Sequence, residues 1–212
     1  MIVVVFRGTL NLNNWYRDLQ FIQPEAPFPN SPAGSRVHYG FLKVWEYLKP
    51  NMTKAIADLV REYHFPVYVM GHSLGGAVAN LAAYDIHSTL GIETVQIVMI
   101  AINSPRIGNS VFARWLKTIK FKQFIRLVNQ NDLIPHLPIK LMQFEHTPTE
   151  VWVKNENDTV VCERLDGDGE TNECANSLVS FDINKHLSIW EYRLGTSGCT
   201  HETLPKNDSS EC

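Results

Sequence analysis

The hydrophobic positions of this chain fall into short apolar runs that alternate with segments of helical periodicity. β-Branched and aromatic runs bounded by polar residues predict buried strands, and apolar residues repeating every three or four positions predict covering helices. We expect helices at Phe41–Leu48, Thr53–Tyr63, Gly75–Ser88, Asn109–Ile119 and His186–Tyr192. We expect strands at Ile2–Phe6, Val67–Met70, Val95–Ala101, Phe124–Val128, Glu150–Val153, Thr159–Cys162 and Leu178–Asp182. The alternation predicts an α/β fold with a mainly parallel central sheet flanked by helices.

Length and charge narrow the class of protein further. The chain has 212 residues, which suits a single α/β domain over 1–212, and four prolines between Pro24 and Gly34 indicate a loop within it. The formal net charge is −3 with no block of lysine or arginine, which argues against a nucleic-acid partner. No apolar run approaches the roughly 20 residues of a transmembrane helix.

The segment Gly71-His72-Ser73-Leu74-Gly75 carries the strongest chemical signal. It follows the predicted strand Val67–Met70 and opens a predicted helix. A Gly-x-Ser-x-Gly sequence in that position is typical of a nucleophile elbow, a sharp strand-to-helix turn that exposes a serine hydroxyl. The alternative is a glycine-rich turn with an idle serine.

A serine nucleophile needs a histidine to take its proton and a carboxylate to orient that histidine. In the α/β-hydrolase layout both partners follow the serine, acid first, each on a loop after a strand. Asp132 and His186 occupy such loops, so we predict the triad Ser73, Asp132 and His186. Asp182 is a rival acid, expected to reach the imidazole poorly from a strand. The side chain of His72, next to the serine, is expected to point elsewhere.

The oxyanion of an ester-hydrolysis intermediate needs two N–H donors. One is the backbone N–H of Leu74, the residue after the nucleophile. The second comes from a loop after an earlier strand, and Thr9 follows Ile2–Phe6. On spacing alone, an ordinary turn residue remains an equal alternative for Thr9.

The polar C-terminal quarter contains every cysteine, which indicates two disulfides. Four cysteines allow three connectivities, of which nearest-neighbour pairing is the simplest. Three sequons for N-glycosylation accompany them. These features favour a secreted protein whose targeting segment is absent from this chain; a cytosolic protein with free thiols is the runner-up. The cysteines are Cys162, Cys174, Cys199 and Cys212, and the sequon asparagines are Asn51, Asn157 and Asn207.

Metal binding is not expected. There is no Cys-x-x-Cys pair, and Asp166-Gly167-Asp168 lacks the glycine and glutamate spacing of a calcium loop.

These motifs, in this order, resemble the class 3 (fungal-type) lipases over nearly the whole chain. The resemblance implies an α/β-hydrolase that cleaves carboxylic esters of lipids at a lipid–water interface without a cofactor. It implies Ser73, Asp132 and His186 as triad, with Thr9 and Leu74 as oxyanion donors. The matching segments are Phe6–Thr9, Asn14–Trp15, Asp18–Leu19, Val37–Phe41, Gly71–Gly76, Asn103–Asn109, Asn131–Pro135 and Asp182–Trp190.

The resemblance also implies a helical lid at about 10–20, after the oxyanion turn. Leu12, Trp15 and Leu19 follow one another at i, i+3 and i+7 and form one apolar face. Such a face more often packs on a core; in a lid it covers the site in water.

Two departures from the family leave alternatives open. Relatives carry a segment before the Phe6 motif, so we expect an N-terminally shortened fold with an open sheet edge. The N-terminal cysteine that often pairs with the equivalent of Cys199 is missing, so Cys212 replaces it or Cys199 is free. The functional alternatives are a feruloyl or general carboxylesterase, a phospholipase A1 and, in a different class, an inactive truncated remnant.

Overall fold

The structure is a computed structural model that describes residues 1–9, 21–147, 149–162, 170–190 and 192–194. Several sequence predictions lie outside these residues. They are the lid residues Leu12, Trp15 and Leu19, the Asp166–Asp168 loop, Cys199, Cys212 and the sequon at Asn207.

A six-stranded sheet forms the centre of the fold. Its strands lie in the order of the sequence, and every neighbouring pair is parallel except the last, which is an antiparallel hairpin. This confirms the predicted α/β fold with a mainly parallel sheet. The strands are β1 (Ile2–Phe6), β2 (Val67–His72), β3 (Ile97–Ile102), β4 (Gln123–Asn129), β5 (Glu150–Asn155) and β6 (Asp158–Cys162).

In the part of the chain that the structure describes, three α-helices connect and cover the strands: α1 (Tyr39–Tyr63), α2 (Leu74–Leu90) and α3 (Ser110–Thr118). The prediction of two helices separated around Pro50 is wrong, because α1 runs through the proline. One buried stripe, which includes Trp45 before Pro50 and Ile56 after it, packs on the core and keeps both halves on one axis.

Helix α2 lies at the centre of the molecule. Every residue from Gly75 to Ile86 is buried, so the helix is enclosed on all sides rather than amphipathic. It packs against β2, β3 and α1. Because α2 begins directly after Ser73, this packing fixes the position of that serine.

The C-terminal part differs from the sequence prediction. The strand predicted at Leu178–Asp182 and the helix predicted at His186–Tyr192 are both wrong. The chain forms 3₁₀ turns at Cys174–Ser177 and Ile183–Leu187, then a short hairpin of β7 (Ser188–Ile189) and β8 (Tyr192–Arg193). The apolar residues taken for a strand are not buried, since Val179 is 97% exposed.

Strand β1 forms one edge of the sheet in the described part of the chain. Its residues alternate between buried and exposed positions, and Val3 and Val5 are 44% and 63% exposed. No helix among the described residues is both long and apolar enough to cross a membrane.

Candidate active site

Ser73 lies on a sharp turn between β2 and α2. Its backbone has φ 59° and ψ −129°, a left-handed φ that is rare for a residue with a side chain. Its N–H donates to the carbonyl of Ile102 at 2.9 Å, which ties the turn to the end of β3. This is the geometry expected of a nucleophile elbow.

The two glycines that flank Ser73 are required by close backbone packing. A Cβ on Gly71 would lie 2.3 Å from the backbone carbon of Gly75, and a Cβ on Gly75 would lie 2.0 Å from the carbonyl oxygen of Phe6. Both distances are well inside van der Waals contact. The tight turn therefore excludes any side chain at either position.

The side chains of Asp132 and His186 are brought together although 54 residues separate them. The Nδ1–H of His186 donates to Asp132 Oδ2 at 2.7 Å, and both side chains are fully buried. The other carboxylate oxygen accepts the N–H of Ile134 at 3.0 Å. Burial raises the pKa of Asp132, and the hydrogen bonds from His186 and Ile134 act against that rise. With Nδ1 bonded to Asp132, Nε2 is the ring nitrogen of His186 that can act as a general base.

Ser73 Oγ and His186 Nε2 are both buried, and neither has a hydrogen-bond partner among the described residues. The serine–histidine hydrogen bond of an active triad is therefore not formed in this conformation. Such bonds are often long without substrate and tighten in the substrate complex. A buried polar atom without a hydrogen-bond partner destabilises a protein, so both atoms are free to bond to a substrate or to each other.

The turn that carries Thr9 lies directly against the elbow. A Cβ on Gly8 would lie 2.9 Å from the carbonyl oxygen of His72 and 3.2 Å from Ser73 Cβ. Leu74 is the first residue of α2, where the helix dipole favours negative charge. The turn that leads to Thr9 and the first residue of α2, Leu74, therefore both lie next to Ser73.

The side chain of His72 is not remote from the site, in contrast to the sequence expectation. Its ring centroid lies 4.4 Å from that of His186, and its Nε2–H donates to the backbone carbonyl of His186 at 2.8 Å. Burial, together with the neighbouring His186, lowers the pKa of His72 to about 4. His72 is thus a neutral hydrogen-bond donor at neutral pH.

Asn129, at the end of β4, also contacts the turn that bears His186. Its Nδ2 donates to the carbonyls of Lys185 at 2.9 Å and Ser188 at 2.8 Å. Its own N–H donates to Asn103 Oδ1 at 2.8 Å. The sequence analysis missed Asn129; the available signal was its place three residues before Asp132, at the end of a central strand.

Two buried ion pairs anchor the segment that leads to His186. Arg106 pairs with Glu170 and Arg126 with Glu150, each at 2.6 Å. Glu150 also accepts the N–H of Ala175 at 3.0 Å. Glu170 and Ala175 both belong to this segment, so the pairs attach it to Arg106 and to the start of β5.

A disulfide joins Cys162 at the end of β6 to Cys174, the nearest-neighbour pairing of the sequence analysis. Within the described ranges, Glu150 and these two cysteines are the one group of potential metal ligands that lie close together. The two sulfur atoms are bonded to each other in the disulfide, so neither is a thiolate that could bind a metal ion. Of the sequon asparagines, Asn51 on α1 and Asn157 in the β5–β6 turn are exposed.

Three other acids and histidines of the described residues have structural contacts away from the serine. Asp182 Oδ1 accepts the N–H of Asn184 at 2.8 Å and so caps the 3₁₀ turn of His186 instead of bonding its ring. Asp85, on α2, accepts from the indole N–H of Trp45 at 2.7 Å. His146 donates to the carbonyl of Pro135 at 2.6 Å.

Several lipases from fungi are similar to this chain in sequence and in fold. A lipase of Rhizomucor miehei is 32% identical over 202 residues, which are 94% of this chain and 54% of that protein. A secreted mono- and diacylglycerol lipase of Fusarium solani is 31% identical over 99% of this chain and 62% of its own length. The solved R. miehei triacylglyceride lipase superposes with a TM-score of 0.82, covering 92% of this chain and 72% of the other.

The chain spans about half the length of the first of these relatives. A further solved structure, 34% identical with a TM-score of 0.82, is described as a triacylglycerol lipase whose catalytic centre is a serine protease triad. The family model described as lipase (class 3) matches residues 3–142. The chain belongs to the class 3 lipase family.

Proposed function

We propose that this chain is a serine ester hydrolase of the triacylglycerol lipase type, with Ser73, His186 and Asp132 as its catalytic triad. The observation that carries the proposal is the fully buried 2.7 Å hydrogen bond between His186 and Asp132, beside a serine on a strained elbow. These are the parts that serine hydrolases of unrelated folds share.

The proposed reaction has two halves. His186 Nε2 takes the proton of Ser73 as Oγ attacks the ester carbonyl, and the N–H groups of Thr9 and Leu74 hold the oxyanion. His186 then protonates the leaving alcohol, which gives an acyl-serine and a free glyceride or alcohol. Water, deprotonated by the same histidine, releases the fatty acid and restores Ser73. Asp132 orients the imidazole and stabilises its charged form.

A lipid surface is the proposed site of action. Leu12, Trp15 and Leu19 form the apolar face of the proposed lid at 10–20. Opening such a lid in water exposes about 150–250 Å² of Trp15, a cost of about 4–6 kcal/mol at about 25 cal/mol per Å². An oil surface covers the same residues and removes most of that cost.

Secretion is part of the proposal. The Cys162–Cys174 disulfide and the exposed sequons at Asn51 and Asn157 suit an oxidising, glycosylating compartment. A relative in Fusarium solani is itself a secreted mono- and diacylglycerol lipase, which makes partial glycerides a second candidate substrate.

The test is hydrolysis of tributyrin titrated through its solubility limit, with mono- and dibutyrin in parallel. We expect fatty-acid release by the wild type to rise steeply once droplets appear, and Ser73→Ala to lose turnover by about 10⁴-fold or more. Trp15→Ser is expected to weaken activity on droplets but not on dissolved ester, while Trp15→Phe retains both. Wild-type rates that saturate below the solubility limit would indicate an esterase. Full activity of Ser73→Ala would refute the triad.

A further inference from the structure

The turn that carries His186 is held by side chains from two central strands. Three of its backbone carbonyls, those of residues 185, 186 and 188, accept hydrogen bonds from side chains at the ends of β2 and β4. The donors are His72 and Asn129. The 3₁₀ turn Ile183–Leu187 has only five residues, and the hydrogen bonds of a 3₁₀ helix have poorer geometry than those of an α-helix.

Asn129 spans the turn. Its two amide hydrogens reach carbonyls on either side of His186, at 2.9 Å to Lys185 and 2.8 Å to Ser188. Its backbone is held in turn, because the N–H of Asn129 donates to Asn103 Oδ1 and its carbonyl accepts the N–H of Asp132 at 3.0 Å. One fully buried residue, through its backbone and its side chain, therefore links the loop of the acid to the loop of the base.

His72 holds the turn from the other side. Its Nε2–H bonds the carbonyl of His186 itself, and the two imidazole rings are in contact at 4.4 Å. Because it directly precedes Ser73 in the chain, His72 connects the nucleophile to the base through one side chain. Its neutral state at neutral pH, set mainly by burial, avoids a second positive charge beside the imidazolium that forms during reaction.

We propose that Asn129 and His72 are positioning residues for the proposed hydrolysis: together they fix the turn of His186 so that Nε2 faces Ser73. The inference rests on the proposed function and assigns these side chains no contact with substrate. Its physical basis is that a misplacement of about 1 Å in a catalytic group costs about 10²-fold in rate.

The first test measures kcat and KM on a water-soluble p-nitrophenyl ester. Asn129→Leu removes both donors at similar volume and is expected to lower kcat by about tenfold or more with KM unchanged. The matched control is Asn131→Ala. Asn131 lies in the same loop, but its amide reaches the carbonyl of Ser180 at 3.4 Å, outside the His186 turn. We expect this control to retain kcat within about twofold.

The second test separates the hydrogen bond of His72 from its packing. His72→Phe keeps a ring against His186 but loses the donor, and is expected to lower kcat. His72→Gln restores an N–H at a similar reach and is expected to recover most of it. If Asn129→Leu does not fold, the two His72 variants still test whether a hydrogen bond to this turn positions His186. Equal kcat for His72→Phe and wild type would overturn the role of His72.

The decisive readout is a double-mutant cycle with His186→Ala. That substitution leaves the backbone carbonyls, and so the hydrogen bonds of Asn129 and His72, in place but removes the imidazole. A positioning role then predicts that Asn129→Leu and His72→Phe cause no further loss of the residual rate. Equal fold-losses in both backgrounds would show a general structural effect and overturn the inference. Wild type without activity would instead refute the proposed function, so the two failures are distinguishable.

Discussion

Gly75 packs directly against the carbonyl oxygen of Phe6, so that a Cβ on residue 75 would lie only 2.0 Å from that oxygen. The contact joins the first turn of α2 to the end of β1, and it brings the Thr9 turn beside Ser73. Backbone atoms on both sides leave no flexible side chain that could move away. Residue 75 must therefore be glycine, because the two main chains lie too close together for a side chain.

We predict that Gly75→Ala lowers the free energy of unfolding by about 1–3 kcal/mol or more and strongly reduces turnover, since the elbow must shift. Chemical denaturation and ester hydrolysis measure the two effects. Gly91→Ala is the control for turnover: Gly91 caps the C-terminal end of α2 with a left-handed φ of 65°, so alanine there is expected to lower stability but to leave the elbow and its turnover unchanged. Full activity of Gly75→Ala would contradict the packing described here.

Breaking the buried pair between Arg106 and Glu170 should be strongly destabilising. Both side chains are almost fully buried, and Glu170 also accepts the N–H of His146 at 2.9 Å. Glu170→Gln leaves the charge of Arg106 buried and unpaired, which typically costs about 3–5 kcal/mol. Urea unfolding of Glu170→Gln and Glu46→Gln provides the comparison, because Glu46 forms an exposed pair with Lys43. We expect no measurable change for Glu46→Gln. Similar stabilities of the two variants would disprove the prediction.

The stability of the protein should fall on mild acidification because several buried histidines must stay neutral. His38 caps α1 with Nδ1, which accepts the N–H of Gly40 at 3.1 Å. Burial lowers the pKa of His38 to about 4, while an unfolded histidine keeps a pKa near 6.5. The unfolded state therefore binds the proton first, so this stability is present above pH 6.5 and is lost between about 6.5 and 4. The same direction holds for His72 and His136.

His38→Asn tests this linkage, since asparagine is a good N-cap but does not titrate. We expect unfolding free energies of wild type and variant to converge as the pH falls from 7 to 4.5. The shift of His38 alone corresponds to about 3 kcal/mol at most. Parallel curves across this range would show that His38 does not contribute to the pH dependence.

The central strands and the elbow follow from local sequence. β1 was predicted with its observed bounds, Ile2–Phe6, and α2 within two residues at each end, because a run of β-branched residues and a long apolar segment opened by a Gly-x-Ser-x-Gly sequence are strong local signals. The family resemblance is confirmed by the match over residues 3–142. The pairing of Asp132 with His186 followed from chain order and from the expected position of each residue on a loop after a strand, although the strand predicted before His186 is not formed.

Other features depend on contacts between distant segments and could not be read from the sequence. Pro50 was taken as a helix boundary, but packing of Trp45 and Ile56 on the same core keeps α1 continuous. The segment around Val179 resembled a strand. Its backbone N–H groups, however, donate to the carbonyls of Ala175 and Asn131, which lie in turns and not in a neighbouring strand. His72 and Asn129 are more than 50 residues away in sequence from the His186 turn that they contact. No local sequence pattern predicts such contacts.

Covalent capture of Ser73 is the most direct test of the proposed chemistry. The full chain is incubated with a fluorophosphonate, and the adduct is located by peptide mass spectrometry in wild type, Ser73→Ala and His186→Ala. The triad predicts one adduct, on the peptide that contains Ser73, absent from Ser73→Ala and formed far more slowly by His186→Ala. An unlabelled wild type, or an adduct that survives Ser73→Ala, would contradict the assignment of Ser73 as the nucleophile.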